Sequence, residues 1–211
     1  MSSREAILGA LMTLLTSSVR STFTGTASYG SAIIADIAST TGLFPGMPIS
    51  SERTPSGAVI QSIDSDTQIT LSVPADTAGA HVAFITGWRT TGRRVHLWTE
   101  VAEQPALFLR NQQDIVSSRP TRMPGKTTLE CEAWIYSNAG GDPTAVPAVT
   151  LNYLIEAIET VLKPSPGLEV QTLGGLVTHC WIEGAIEKHT GDLDGQAIAV
   201  VPINILCPTI L

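Results

Sequence analysis

Two stretches of the chain repeat their apolar residues with the spacing of an amphipathic helix. The first, residues 3–18, has this apolar face: Ile7, Leu8, Leu11, Leu14 and Leu15. Ser2 and Glu5 stand at its start in the order of a capping box, so we expect the helix to begin there. The second, residues 150–163, has this apolar face: Leu151, Leu154, Ile155, Ile158 and Leu162. Both segments therefore predict helices that bury one side.

Elsewhere apolar and polar residues alternate, which is the pattern of strands. The predicted strands are residues 95–101, 129–136, 176–187 and 196–207. The last of them is apolar on both faces from Ala197 to Cys207, so we expect it to be central or to lie partly at an interface. Residues 111–125 are polar and contain two prolines, which predicts a long connection of the kind that is usually functional or mobile.

The composition changes near residue 23 and changes back near residue 88. Between them, residues 24–87 contain no Lys, and Ser, Thr, Ala and Gly make up 34 of the 64 residues. Short β-branched runs recur there, and Asp64-Ser65-Asp66-Thr67 separates two of them as a hairpin turn does. We therefore predict a small all-β domain, residues 23–88, inserted into an α+β core. That core, residues 1–22 plus 89–211, should have a mixed or antiparallel sheet packed by two helices.

The chain has 211 residues, only 15% of them charged, and a net charge of −7. An acidic chain is a poor match for phosphate backbones and for anionic membrane surfaces. A surface poor in charge also favours burial against copies of the same chain or a partner. No apolar run reaches 18 residues, so we expect no membrane span and no membrane partner. The three cysteines are far apart and form no CxxC pair, which argues against a zinc site or a disulfide framework.

Motifs that resemble catalytic sites are incomplete. Gly125-Lys126-Thr127 ends like a phosphate-binding loop, but Pro120 stands where that loop needs a glycine, and we expect Lys126 to open a strand instead. His179 and Cys180 are neighbours on a predicted strand and so point to opposite faces, with Cys180 in the core. We therefore predict no catalytic, cofactor-binding or metal-binding residues, and no enzyme activity.

Carboxylates leave two alternatives open. Asp64 with Asp66, and Asp192 with Asp194, are best interpreted as turn residues, with a bound cation as the alternative. Four glutamates lie on predicted strands, where exposed faces normally carry such residues and a hydrolase would need a facing pair: Glu130, Glu132, Glu183 and Glu187.

Five of the 12 basic residues are concentrated in a chain that is otherwise acidic: Arg93, Arg94, Arg119, Arg122 and Lys126. They are either solvated loop charges or an interface that meets an acidic partner surface or passing DNA. A protein partner is favoured over DNA because the whole chain is negative. We take these five as the candidate interface residues.

Seven segments, in their order along the chain, resemble a known family. They are SSREAILGALMTLL, RRVHLWTEV, EQPALFLR, KTTLECEAWIY, LNYLIEAIETVL, TLGGLVTHCWIEG and GDLDGQAIAVVPINIL. Together they are similar to the tail terminators, or tail-completion minor tail proteins, of long-tailed bacteriophages. The insert resembles a β module of phage structural proteins, on SAIIADIASTTGLFPGMPIS and PSGAVIQSIDSDTQITLS.

The resemblance implies a structural role. Such proteins form a homohexameric ring that caps the tail tube, ends its polymerisation and offers a surface to the neck. The implied partners are further copies of the chain, the tail tube protein and a head–tail connector, with genomic DNA passing only through the ring lumen. The implied location is the virion tail or neck, and the host cytoplasm during assembly. The alternatives are another neck or minor tail protein and, more remotely, a carbohydrate-binding module that uses aromatic residues of the insert: Tyr29, Phe44, Phe84 and Trp88.

Overall fold

A computed structural model describes residues 3–117, 125–138, 146–164, 167–190 and 195–208. The chain divides into two compact units, one formed by Met1–Ser18 with Thr90–Leu211 and the other by Val19–Arg89. The first unit contains both helices and one sheet, and the second is built from strands alone. The fold is α+β, as the sequence predicts.

The unit Val19–Arg89 is a closed sheet of six short strands. They are β1 Thr22–Ala27, β2 Ile33–Ala35, β3 Ile49–Ser50, β4 Ile60–Ser65, β5 Gln68–Leu71 and β6 Gly79–Thr86. Their order is β3-β6-β1-β2-β5-β4, and every pair is antiparallel. A bridge between Pro48 and Val59 brings the two ends of this order together, so the sheet closes into a small barrel. The predicted hairpin turn is confirmed, because Ser65 pairs with Gln68 around it.

The barrel is filled mainly by aliphatic residues, together with Phe44 and one stacked aromatic pair. Phe84 is fully buried, and its ring stacks on that of Phe23 with the centroids 5.4 Å apart. Gly25 lies so close to the next strand that an added Cβ would stand 2.7 Å from Cγ2 of Ile34. The close packing of β1 on β2 therefore depends on glycine at this position.

The other unit is a sheet with two helices. Its elements are α1 Ser3–Ser17, β7 Thr90–Gly92, β8 Ala106–Ser117, β9 Lys126–Asn138, α2 Pro147–Leu162, β10 His179–Ile182, β11 Glu187–His189 and β12 Gln196–Cys207. The strand order is β10-β12-β9-β8-β7, and β11 also pairs with β12. Only β7 and β8 run parallel among these pairs, so the sheet is mixed, as predicted.

Helix α2 packs on β9, β10 and β12, and α1 packs on α2. Alternate side chains of β9 and β12 are fully buried, from Leu129 to Ile135 and from Ala197 to Cys207, because they point toward this helical layer. The opposite face of the sheet, called here the outer face, is half-buried. The doubly apolar strand of the sequence is thus central, between β9 on one side and β10 with β11 on the other.

The helix predictions are confirmed with small shifts at the ends. Helix α1 ends one residue before the predicted boundary, while the capping residue Ser2 lies outside the described residues. Helix α2 begins three residues earlier than predicted, at Pro147. Proline is tolerated in the first turn because its missing N–H has no helical partner there.

The predicted strand over residues 95–101 is wrong. This segment is a loop with a 3-10 turn, Trp98–Glu100, and the N–H of Leu97 donates to the Glu100 carboxylate. No strand pairs with it among the described residues, so its alternation does not produce a ladder. Val101 and Val95 instead pack on the outer face of the sheet beside Phe108.

Two further predictions are wrong in part. Residues 111–117 of the predicted polar connection belong to strand β8, because they pair with β9 as far as Ser117 and Lys126. The predicted strand over residues 176–187 is broken into β10 and β11. Gly184 lies between them at φ +117°, a conformation that interrupts a strand and favours glycine.

Candidate functional site

The candidate basic residues do not form one cluster in the described part of the chain. An Nη atom of Arg93 lies 3.5 Å from a carboxylate oxygen of Glu5 in α1, and Arg94 is exposed beside it. Lys126 is the first residue of β9, as predicted, and is exposed opposite Ser117. The candidates Arg119 and Arg122, like Asp192 and Asp194, lie outside the described residues.

Arg93 and Arg94 border a pocket of about 390 Å³ beside β7 and β8. The ring of Phe108 forms part of its wall, with the His96 ring tilted against it at 5.4 Å between centroids. Glu100 and Glu103 also line the pocket, and Nδ1 of His96 lies 3.6 Å from the Glu100 carboxylate. The pocket wall therefore carries two carboxylates and two guanidinium groups, so it has no excess of positive or negative charge.

The longest exposed stretch of the α+β sheet, among the described residues, is the second half of β8. Strand β8 pairs with β9 along its length, but β7 covers the opposite edge only from Ala106 to Phe108. Beyond that point every residue from Arg110 to Ser117 is exposed. These eight residues are called here the β8 edge. In the described ranges, no strand pairs with them on the side that faces away from β9.

The β8 edge is held in place by side-chain contacts. Nε of Arg4 in α1 lies 2.8 Å from Oδ2 of Asp114, and Asn111 donates its amide to the other oxygen of the same carboxylate. On the outer face, the Gln113 amide donates to Glu130 of β9. These contacts limit the freedom of the strand before anything binds to it, which lowers the entropic cost of binding.

The four glutamates of the sequence analysis lie on or beside strands, as predicted, and three of them are hydrogen-bonded. Indole N–H groups donate to two of them, from Trp134 to Glu132 at 2.9 Å and from Trp181 to Glu183 at 2.7 Å. Each bond joins a carboxylate to an indole two residues away in the chain. In the described residues, no three His, Cys, Asp or Glu side chains are grouped so that they could hold a metal ion.

The cysteines behave as core residues. All three are buried free thiols, and Cys180 is confirmed as part of the core. Burial raises the pKa of the Cys131 and Cys180 thiols to about 12 and also raises the pKa of Cys207. A nucleophilic thiol needs the opposite shift, since the thiolate is the reactive form.

The imidazole of His179 has two contacts of its own. It stacks on the Trp181 ring, with the centroids 4.9 Å apart, and its Nδ1 accepts from the N–H of Gln171. His179 therefore helps to pack the loop before β10 against the sheet.

Asp66 lies in the turn of the barrel hairpin, as interpreted, whereas Asp64 lies beside the turn in strand β4. Asp64 accepts from the hydroxyl groups of Thr70 at 2.6 Å and Ser62 at 2.7 Å. These two hydrogen bonds lower the pKa of its carboxyl group, that to Thr70 most. The carboxylate thus serves the hairpin itself.

The aromatic residues proposed for carbohydrate stacking are mostly inside the barrel. Phe84 and Phe44 are buried, Trp88 is half-buried, and Tyr29 is 78% exposed. Sugar rings stack on exposed aromatic faces, so Tyr29 alone of these four offers such a face.

Sequence reasoning missed the β8 edge, because a strand exposed on both faces has no apolar alternation to reveal it.

No protein-family model matches the chain, and no curated protein sequence matches it. Among the described residues, no helix has the length and apolar content needed to cross a bilayer.

Proposed function

We propose that this chain is a structural protein of a long-tailed bacteriophage virion, a tail terminator. Its copies form a six-fold ring that caps the tail tube, ends polymerisation of the tube and offers a surface to the neck. Its partners are further copies of itself, the tail tube protein and a head–tail connector. DNA passes through the lumen of the ring.

The observation that carries the proposal is where the segments of the resemblance lie. All seven belong to the α+β unit, and none belongs to the barrel. The resemblance thus covers one folded body with its own core, as expected of a ring subunit, while the barrel is an addition to it. We assign the barrel to the exterior of the tail neck.

The surface properties of the α+β unit also support an assembly role. A ring whose copies contact one another head to tail needs two different contact surfaces on each copy. The chain has few charged residues for its length, and the β8 edge exposes backbone as well as apolar side chains. Such an edge is a ready template for contact with another polypeptide.

The residue chemistry favours a structural role over catalysis. Cys131 and Cys180 are buried with raised pKa values, and indole N–H groups occupy the Glu132 and Glu183 carboxylates. Groups of this kind stabilise a fold and have no activated partner for a reaction. The proposal therefore assigns no catalytic residue.

Antibody labelling of intact particles tests the assignment. We expect electron microscopy to show the label where the tail meets the head. Label at the distal, baseplate end would contradict a terminator and would favour a different minor tail protein. Particles from a mutant that lacks the protein provide the control for antibody specificity.

A further inference from the structure

The β8 edge differs from the other sheet edges of the molecule in its length and exposure. The barrel has no open edge, since the bridge between Pro48 and Val59 closes it. On the far side of the α+β sheet, the N–H of Cys180 in β10 already donates to the carbonyl of Gln171 at 2.8 Å, and β11 has only three residues. The β8 edge is thus the long open edge of the described chain.

The β8 edge also has little of the protection that such edges usually carry. Natural proteins block open edges with proline, bulges or charged side chains, especially lysine. Arg110–Ser117 contains no Pro and no Lys, and its one bulge lies between Asn111 and Gln113. Its two charged residues, Arg110 and Asp114, are paired with Glu132 and Arg4. From Gln113 to Ser117 the register with β9 is regular. This five-residue stretch can therefore accept a further strand.

Apolar side chains stand on both faces of this stretch. Ile115 is 46% exposed and Val116 is 65% exposed. Successive residues of a strand point to opposite faces, so an added strand would cover one apolar side chain on each side. The main chain would supply hydrogen bonds and these two residues would supply apolar contact.

The charge of the edge indicates which partner it fits. The chain as a whole carries −7, so two copies repel each other over most of their surface. At the β8 edge each charge has a partner of opposite sign, since Arg110 lies 3.7 Å from the Glu132 carboxylate and Asp114 lies 2.8 Å from Arg4. A strongly charged partner finds no excess of opposite charge there, whereas a second copy of this chain meets the least repulsion.

We infer that the segment Gln113–Ser117 of the β8 edge pairs with a strand of a second copy of this chain, so that the sheet continues from one copy into the next. The inference rests on the proposed ring and assigns one of its contact surfaces. Main-chain hydrogen bonds orient the two strands relative to each other, and Ile115 and Val116 add apolar contact area.

Hydrogen exchange on the purified full chain at low and high protein concentration tests the pairing. We expect those amides of residues 113–117 that point away from β9 to exchange at least about tenfold more slowly at high concentration, because the alternate N–H groups that point toward β9 are already paired within the chain. The amides of β12, which are already paired within the sheet, should not depend on concentration.

A matched pair of variants tests the side chains. Ile115→Lys with Val116→Lys places like charges at the contact and should weaken self-association by about tenfold or more, measured by analytical ultracentrifugation. Ile33→Lys is the control, because Ile33 is 45% exposed but lies in the barrel unit. It should leave the association constant unchanged.

The failures of the two proposals are distinguishable. Oligomers whose residues 113–117 exchange equally at both concentrations would overturn the inference and leave the ring in place, with its contacts elsewhere. A chain that stays monomeric at every concentration would also overturn the inference. The terminator role itself is decided by the length of tails made without the protein.

Discussion

Nε of Arg4 lies 2.8 Å from Oδ2 of Asp114, and this ion pair joins the first turn of α1 to the exposed second half of β8. Asp114 also accepts a hydrogen bond from Asn111 at 3.1 Å. One carboxylate therefore connects the helical layer with the strand that we assign to contact between copies. The edge owes part of its order to a helix 110 residues earlier in the chain.

Removing this carboxylate should loosen the edge. We expect Asp114→Ala to lower the free energy of unfolding by about 1 kcal/mol, because it removes a partly exposed ion pair and a charge-assisted hydrogen bond. In a double-mutant cycle with Arg4→Ala, the coupling should be about 0.5 kcal/mol and should shrink in 1 M salt. Urea denaturation measures it, and strictly additive single changes would show that the pair contributes nothing.

A second pair of residues joins a loop to the start of β12. The side-chain amides of Gln104 and Gln196 donate to each other, each at 3.0 Å, and Gln196 is buried. Gln196→Leu should cost about 2 kcal/mol, because it leaves the polar groups of Gln104 and the Ser137 carbonyl without this partner. Thermal denaturation of Gln104→Leu, Gln196→Leu and the double variant checks this. We expect the double variant to lose less than the sum of the singles.

The buried thiols should be unreactive at neutral pH. Their pKa of about 12 in the fold, against 9.0 for a free thiol, keeps Cys131 and Cys180 protonated. Disulfide-exchange reagents at pH 8 should therefore label them slowly in the native chain and fast in urea. Rapid labelling of the native chain would contradict their burial.

The same pKa shifts predict how stability depends on pH. Between about pH 9 and 12 the unfolded chain loses thiol protons that the folded chain retains, so stability must fall as the pH rises through this window. The loss should approach about 1 kcal/mol per thiol and pH unit. Melting temperatures between pH 8 and 10.5 measure it, with Cys131→Ala and Cys180→Ala as controls that should reduce the slope.

Two glycines should respond in opposite directions to alanine. Gly25→Ala places Cβ 2.7 Å from the Ile34 side chain and should destabilise the barrel by about 2 kcal/mol. Gly9 lies in α1 with open space around it, so Gly9→Ala should stabilise the helix by about 1 kcal/mol. Calorimetry of both variants checks the signs, and a neutral Gly25→Ala would contradict the close packing of β1 on β2.

Periodicity was a sufficient guide where one face of an element is buried. It predicted α1, α2, β9 and β12 correctly. Each of these elements places apolar residues in the helix–sheet core with the period of a helix or of a strand. It failed for residues 95–101, where Val95 and Val101 pack on the sheet from a loop, so alternation arises without a strand. It also failed at Gly184, where a single positive φ breaks the run.

The candidate contact surface was only partly accessible to sequence reasoning. The polar residues Asn111 to Asp114 belong to a strand because β9 pairs with them, and this depends on a segment more than a dozen residues away. Arg93 lies in the loop after β7 and contacts Glu5 of α1, whereas Lys126 is the first residue of β9. Local charge patterns do not encode such long-range neighbours.

The length of tails made in the absence of this protein tests the central claim most directly. Electron microscopy of particles from a host infected with the deletion mutant gives that length, with the same mutant complemented by the intact chain as the control. We predict tails of uncontrolled, excessive length that return to normal on complementation. Tails of normal length that lack heads would contradict the terminator role and would assign the protein to joining the neck.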